Sequence, residues 1–358
     1  MNCSKTVLLQ PLVPHYRTEF FNLLDKQLNG VDIFTLDKVE NAESAGFNIE
    51  KESNNIGKCK LGPFLWYNPF KLSLRKRKYA VLMWNPLHLT TWLLLLTKWI
   101  HRTKIILWGQ GISVKRYLKE EKKPDWKLKW MLRFADGAWI YMDKEYEQWH
   151  SLFPKKPMVA LQNSLTGVDE MISYKSDLAK SQLKQKYNIS QKRIFIFSAR
   201  FSHNYRRTDL LEEIIQKLDK KTNGFIIIGD GPFKPDFSKY ENVYDFGALY
   251  DTAIKRELFF LADLYLQPGW VGLSIVEAMA YGKPICTFER SEETLQCVEY
   301  SYIKDGWNGI IFKDIEDSVS RLNSLSDNLI KEMSSNAKET AKQSSPNNMV
   351  KRAVAILK

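Results

Sequence analysis

Twelve short apolar runs, separated by amphipathic stretches, constrain the fold of this chain more than any other feature of its sequence. The first six are Thr6–Leu12, Val31–Leu36, Tyr79–Trp84, Lys104–Trp108, Gly137–Met142 and Met158–Leu161. Six more follow at Arg193–Ser198, Gly224–Ile228, Val243–Phe246, Leu264–Gln267, Pro284–Phe288 and Gly309–Phe312. The runs are continuous rather than alternating, the pattern of parallel strands covered on both faces. The stretches between them read as helices. In Thr208–Lys220, for example, Leu210, Leu211, Ile214, Ile215 and Leu218 share one face. Strand–helix alternation predicts parallel α/β sheets, and two series in 358 residues predict two Rossmann-like domains. The boundary is expected in the polar stretch between Asn163 and Lys192, which carries a helical pattern over Asp177–Tyr187. This divides the chain into residues 1–165, 166–345 and a C-terminal helix over 346–358, able to pack on either domain.

The composition is globular, with 44% hydrophobic and 26% charged residues, and excludes a disordered chain or a fibre. Four scattered cysteines (Cys3, Cys59, Cys286, Cys297) make neither a disulfide framework nor a CxxC zinc pair, so a reducing compartment is the expectation. The first residues lack the basic start and long apolar run of a signal peptide.

The net charge of +12 is unevenly placed. Residues 1–165 hold 26 Lys and Arg against 15 Asp and Glu, while the remainder is nearly balanced. No acidic residue occurs between Glu52 and Glu120, a stretch with 13 Lys and Arg that includes Arg75-Lys76-Arg77-Lys78. The same half contains nine of the eleven tryptophans. A basic, tryptophan-rich half fits an anionic surface, either nucleic acid or a membrane headgroup layer, or else a solvated face over buried tryptophans. Val81–Ile100 is strongly apolar, but Asn85, Pro86, His88 and Lys98 leave it well short of the roughly 20 residues of a membrane span. It reads as a strand, a loop and a core helix. Trp92 and Trp99 keep an interfacial helix open.

The motifs with chemical content lie in the second half. Ile226-Ile227-Ile228-Gly229-Asp230-Gly231-Pro232 is a strand that ends in a glycine turn. Upstream, Arg200 closes a strand and Arg206 precedes a helix. Two guanidinium groups in one βα loop can clamp a diphosphate, or can simply be solvated. The most specific run is Gln267-Pro268-Gly269-Trp270-Val271-Gly272-Leu273-Ser274-Ile275-Val276-Glu277-Ala278-Met279-Ala280-Tyr281-Gly282-Lys283-Pro284. Here a strand opens through a glycine-bearing loop into a helix near Ser274, whose first amides can bind an anion. Glu277, one turn in, reads equally as a ribose ligand or as the far end of a Ser274-x-x-Glu277 capping box.

Together these segments resemble glycosyltransferase family 4, retaining enzymes of the GT-B fold, most closely over Arg193–Phe312. The resemblance rests on Arg200 and Arg206, on Gly-Asp-Gly-Pro, on Gly-Leu-Ser-x-x-Glu-Ala-Met-Ala-x-Gly-x-Pro and on Asp305-Gly306-Trp307-Asn308-Gly309. Looser matches are Pro14-His15-Tyr16-Arg17 after the first strand, Leu107-Trp108-Gly109-Gln110-Gly111, and Asn163 at the end of the first domain. It implies an α/β chain of two Rossmann-like domains facing each other across a cleft. It also implies a nucleoside diphosphate sugar held by the second domain, with Arg200 and Arg206 neutralising the leaving diphosphate. The backbone at Gly272, Leu273 and Ser274 would bind phosphate or sugar hydroxyls and Glu277 the ribose, with Gly231 and Leu249 completing the nucleotide site. No Asp-x-Asp pair is present, so neither metal nor cofactor is expected.

Two positions depart from the family pattern. The carboxylate eight residues before Glu277 is replaced by Gly269. The histidine of the first domain is absent at Trp84-Asn85-Pro86 and Gly109-Gln110-Gly111. His88, His15 and Arg17 are therefore the acceptor-side candidates. The expected function is a cytoplasmic, membrane-peripheral hexosyltransferase acting with retention on a lipid-linked saccharide acceptor in cell-surface polysaccharide or glycolipid assembly. Its expected partners are the donor, the acceptor and an anionic membrane, without nucleic acid. A sugar-nucleotide epimerase of the same plan would need facing carboxylates, and no good pair is found. A nucleic-acid-binding α/β protein would leave Arg200, Arg206 and Glu277 unexplained.

Overall fold

The computed structural model describes residues 4–37 and 54–357, and the chain forms two compact units. The first comprises Met1–Thr166 with Ser345–Lys358, the second Gly167–Ser344. Cys3 lies outside the described residues, while Cys59, Cys286 and Cys297 are free thiols.

The first unit is built on a seven-stranded sheet: β1 (Thr6–Gln10), β2 (Val31–Thr35), β3 (Asn54–Asn55), β6 (Tyr79–Met83), β7 (Lys104–Gly109), β8 (Gly137–Ile140) and β9 (Met158–Ala160). Their order is β3-β2-β1-β6-β7-β8-β9, and every ladder is parallel. β1 is shorter than its apolar run because Pro11 has no N–H to give the ladder. One face is packed by Phe20, Phe21, Trp108 and Trp139, and Trp139 Nε1 donates to the Ala353 carbonyl at 3.1 Å. That bond ties the C-terminal helix Pro346–Ala355 to this sheet. On the other face Trp84 and Trp149 pack with ring centroids 4.9 Å apart.

β4 (Cys59–Leu61) and β5 (Phe64–Trp66) form an antiparallel hairpin separate from the large sheet. The apolar-run reading does not reveal it, since three-residue strands lack a period to detect. It sits over the helix Leu89–Leu96, with Leu65 N–H donating to Leu87 O at 2.8 Å and Tyr67 N–H to Thr90 Oγ1 at 2.8 Å. Among the described residues no helix is long and apolar enough to cross a membrane. Val81–Ile100 resolves into β6, a loop and helical segments.

The structure divides the basic run Arg75–Lys78. Arg77 is buried, ion-paired with Asp32, and donates to Ser4 O at 2.6 Å and Leu72 O at 3.3 Å. It is a framework residue, and only Arg75, Lys76 and Lys78 are exposed.

The second unit holds β10 (Arg193–Ser198), β11 (Asn223–Ile228), β12 (Val243–Asp245), β13 (Leu264–Leu266), β14 (Ile285–Phe288) and β15 (Gly309–Phe312). Their order is β12-β11-β10-β13-β14-β15, again wholly parallel. Phe195, Phe225 and Ile227 pack below the sheet with Leu211, Ile214 and Ile215 of helix Thr208–Lys217. Both units therefore carry the doubly wound order, in which the chain leaves the central strand in both directions.

Candidate donor site

In such sheets ligands bind at the carboxyl ends of strands where the order reverses. In the second unit that point lies between β10 and β13, and the two motif-bearing loops emerge there. The loop after β10 carries exposed Arg200 and half-buried Arg206. Arg206 donates from Nη1 to Trp270 O at 2.7 Å and from Nε to Arg200 O at 3.3 Å. Burial lowers its pKa; the neighbouring Tyr265 and Cys297 oppose this and Arg200 adds to it. Arg206 is thus joined to Arg200 through the Arg200 backbone carbonyl and also holds the facing loop, a second role that the spacing does not reveal.

The loop after β13 is clamped by two buried glutamines, Gln267 at the head of the specific run and Gln296 outside every motif. Gln267 Oε1 accepts from Tyr265 OH at 2.7 Å and from Ser274 Oγ at 2.9 Å, and its Nε2 donates to Gly269 O and Trp270 O. Gln296 accepts from Val271 N–H at 2.9 Å and donates to Pro268 O, Thr287 Oγ1 and Phe288 O. A buried amide that uses both ends fixes a backbone as secondary structure would.

Gly269 explains the missing carboxylate. A Cβ there would lie 2.5 Å from Tyr205 O and 3.0 Å from Arg207 Cγ, so this loop has no room for a side chain. Trp270 follows in the left-handed region at φ 53°, stacked on Tyr205 with centroids 4.9 Å apart. Beyond it, the backbone N–H groups of Gly272, Leu273 and Ser274 meet no acceptor among the described residues. They open the helix Ser274–Ala280. Such amides present partial positive charge to an anion.

The capping-box reading of Glu277 is not realised. Leu273 occupies the N-cap, with no side-chain cap, and Ser274 turns to Gln267. Glu277 Oε1 instead lies 2.6 Å from Lys255 Nζ on helix Thr252–Leu261. Lys255 was not legible in the sequence, because its partner lies 22 positions downstream on another element. Gly231 has φ 144°, and a Cβ there would meet Phe201 O at 2.6 Å, so this glycine lets the turn pack on the β10 loop. Leu249 is half-buried between β12 and helix Thr252–Leu261.

The first-unit candidates are placed differently from one another. His15 is exposed after β1, its ring edge-on to Tyr16 at 5.6 Å. Arg17 is buried, donates to Asn163 Oδ1 at 2.9 Å, and lies 5.2 Å from the ring centroids of Trp108 and Tyr141. It ties the first loop to the end of the domain. His88 is buried against Tyr67, with Nδ1 lacking a hydrogen-bond partner, and burial with the nearby Lys58 charge lowers its pKa to about 4. Buried and neutral, it occupies the N-cap position of helix Leu89–Leu96 without a side-chain capping bond.

Comparison with solved structures covers nearly the whole chain. A glycosyltransferase from Rickettsia africae superposes with a TM-score of 0.65 at 16% identity, covering 99% of this chain and 98% of that one. Anabaena Alr3699/HepE, solved in complex with UDP, gives 0.66 at 13% identity, with 99% of each chain covered. The fold is GT-B. Residues 192–328 match the family model described as "Glycosyl transferases group 1". A curated relative, the alpha-monoglucosyldiacylglycerol synthase of Acholeplasma laidlawii, is 30% identical over 174 residues, 44% of this chain and 42% of that protein. The chain thus matches less than half the length of that relative. The GT-B sheet carrying Arg206 and Glu277 falls within the family match.

Proposed function

We propose that this protein is a retaining glycosyltransferase that moves a hexose from a nucleoside diphosphate sugar to a saccharide or glycolipid acceptor at the cytoplasmic face of a membrane. The observation that supports the reading is that Arg206, on the loop after β10 with Arg200, bonds the loop after β13 at the switch point, where the amides of Gly272–Ser274 open the helix that carries Glu277. Both arginines meet the diphosphate, the amides bind phosphate oxygens or sugar hydroxyls, and Glu277 accepts from the ribose. As the C1–oxygen bond breaks, its electron pair goes to the diphosphate. The acceptor hydroxyl oxygen bonds to C1 and its proton passes to the departing phosphate oxygen. Catalysis is then positioning plus fixed positive charge, without a metal. With Gly269 in place, no carboxylate at that position can attack the sugar. Support for a lipid-borne acceptor comes from the Acholeplasma laidlawii relative, whose name states a glycolipid product.

The test is a thermal-shift screen with UDP, GDP, dTDP and ADP, followed by donor hydrolysis with the matching sugars. Ligand at 100 times its Kd stabilises by about 2.7 kcal/mol. Stabilisation by one nucleoside diphosphate together with slow sugar release is expected. Absence of both overturns the reading.

A further inference from the structure

The first unit exposes a series of large apolar side chains between Leu61 and Trp99. In the β4–β5 hairpin the cross-strand pairs Leu61↔Phe64 and Cys59↔Trp66 share one face, while Lys60↔Leu65 occupies the other. Leu65 turns inward onto the core, so the opposite face, entirely apolar, is left to solvent: Cys59, Leu61, Phe64 and Trp66 are all exposed. The helix on which the hairpin packs exposes apolar residues as well. Its inner residues Leu94 and Leu95 are buried, while Leu96 and the following Trp99 face outward. Phe70, on the turn Pro69–Leu72 after the hairpin, is 88% exposed and Trp99 is 79% exposed. These are not loose ends. Tyr67 is anchored to Thr90 and Thr91 at 2.8 and 2.9 Å, and Thr103 Oγ1 donates to Leu74 O at 2.6 Å. The aromatic groups are thus presented by a braced framework.

Charge selects what covers this edge. It lies inside the stretch without a single Asp or Glu, and exposed Arg75, Lys76, Lys78 and Arg102 flank it. A second copy of the chain would bring like charges together. A partner that accepts aromatic and aliphatic side chains while neutralising a basic border is an anionic bilayer, whose interface favours tryptophan and whose headgroups favour lysine and arginine.

We propose that the β4–β5 hairpin, Phe70 and the Leu96–Trp99 edge insert into the interfacial layer of an anionic phospholipid membrane; the proposal rests on the reading of a lipid-borne acceptor and names the surface that reading needs. Arg75 and Lys76 supply the salt-sensitive part of binding, and the aromatic edge supplies a part that salt leaves in place.

The experiment is flotation of the full chain with phosphatidylcholine vesicles, with and without phosphatidylglycerol, at low and high salt. Wild type is expected to float with the anionic vesicles and to retain part of that binding in high salt. The double variant Phe70→Ser/Trp99→Ser is expected to lose the salt-resistant part, with partition falling at least tenfold. Arg75→Glu/Lys76→Glu is expected to lose binding mainly at low salt. The thermal shift given by the bound nucleoside diphosphate serves as the folding control and reports separately on the donor site. Wild type that stays soluble beside anionic vesicles overturns the inference. So does a serine variant that binds as wild type does, or a wild-type dimer that the serine variant dissolves. Vesicle binding without any nucleotide response leaves the inference standing and removes the donor-site reading.

Discussion

Lys255 Nζ lies 2.6 Å from Glu277 Oε1, joining the helix that follows β12 to the first turn of the helix that follows the β13 loop. Both side chains are mostly shielded from water, at 28% and 16% exposure. The pair holds the Glu277 carboxylate in one place and keeps it from capping its own helix. Lys255→Met is expected to lower stability by about 1 kcal/mol and to weaken nucleotide binding several-fold, because the carboxylate loses its orientation. Glu277→Ala is expected to cost at least tenfold in nucleotide affinity. Melting temperatures and nucleotide titrations on both variants decide the point. If Glu277→Ala loses stability but keeps its affinity, the pair is only a brace between helices.

Arg200 and Arg206 separate under mutation because only one is built into the loop. Arg200→Ala is expected to slow transfer at least tenfold with the melting temperature unchanged, since a charge-assisted contact to a diphosphate contributes about 1.5–3 kcal/mol. Arg206→Ala is expected to slow transfer similarly and also to lower the melting temperature, because the bonds from Arg206 to Trp270 O and Arg200 O that tie the two loops together are lost. Turnover at the wild-type rate in both variants would place the leaving group elsewhere.

All twelve apolar runs are strands, because burial on both faces of a parallel sheet writes itself into sequence as uninterrupted hydrophobicity. The glycine turn after β11 was legible for a related reason, since Gly229 and Gly231 are demanded by positive φ and close backbone contact. What stayed hidden depends on distant partners. Gln267 and Gln296 are ordinary residues until the fold brings backbone carbonyls to them, and Lys255 is one lysine among many until it meets Glu277. Arg77 looked like part of a basic surface and is instead buried on Asp32. Charge runs are read along the chain, but burial alternates within them.

Gly269 gives a test of why the loop after β13 carries no carboxylate at this position. Gly269→Ala is expected to destabilise by about 1–3 kcal/mol, because the new methyl group meets Tyr205 O and Arg207 Cγ and must displace the stacked loop. Gly269→Glu is expected to be at least as damaging and to give no gain in transfer. A Gly269→Glu variant that melts as wild type does and turns over faster would show that the loop accepts a carboxylate, contrary to the packing.

His88 sets an acid limit on the first unit. In the folded chain burial and the Lys58 charge lower its pKa to about 4, against about 6.5 unfolded. Between those values the unfolded chain binds a proton that the folded chain refuses, so acidification favours unfolding. The contribution is fully present above pH 6.5 and is lost as pH falls toward 4, reaching on the order of 3 kcal/mol. His88→Gln removes this titration while keeping a polar side chain of similar reach. Denaturant unfolding at pH 7, 6, 5 and 4 is expected to show a shallower acid loss in the variant than in wild type, with the gap opening below pH 6.5. The carboxylates titrate alike in both proteins and cancel in the difference. Parallel stability curves across that range would mean that His88 is protonated in the folded state, and therefore open to water rather than buried under the β4–β5 hairpin.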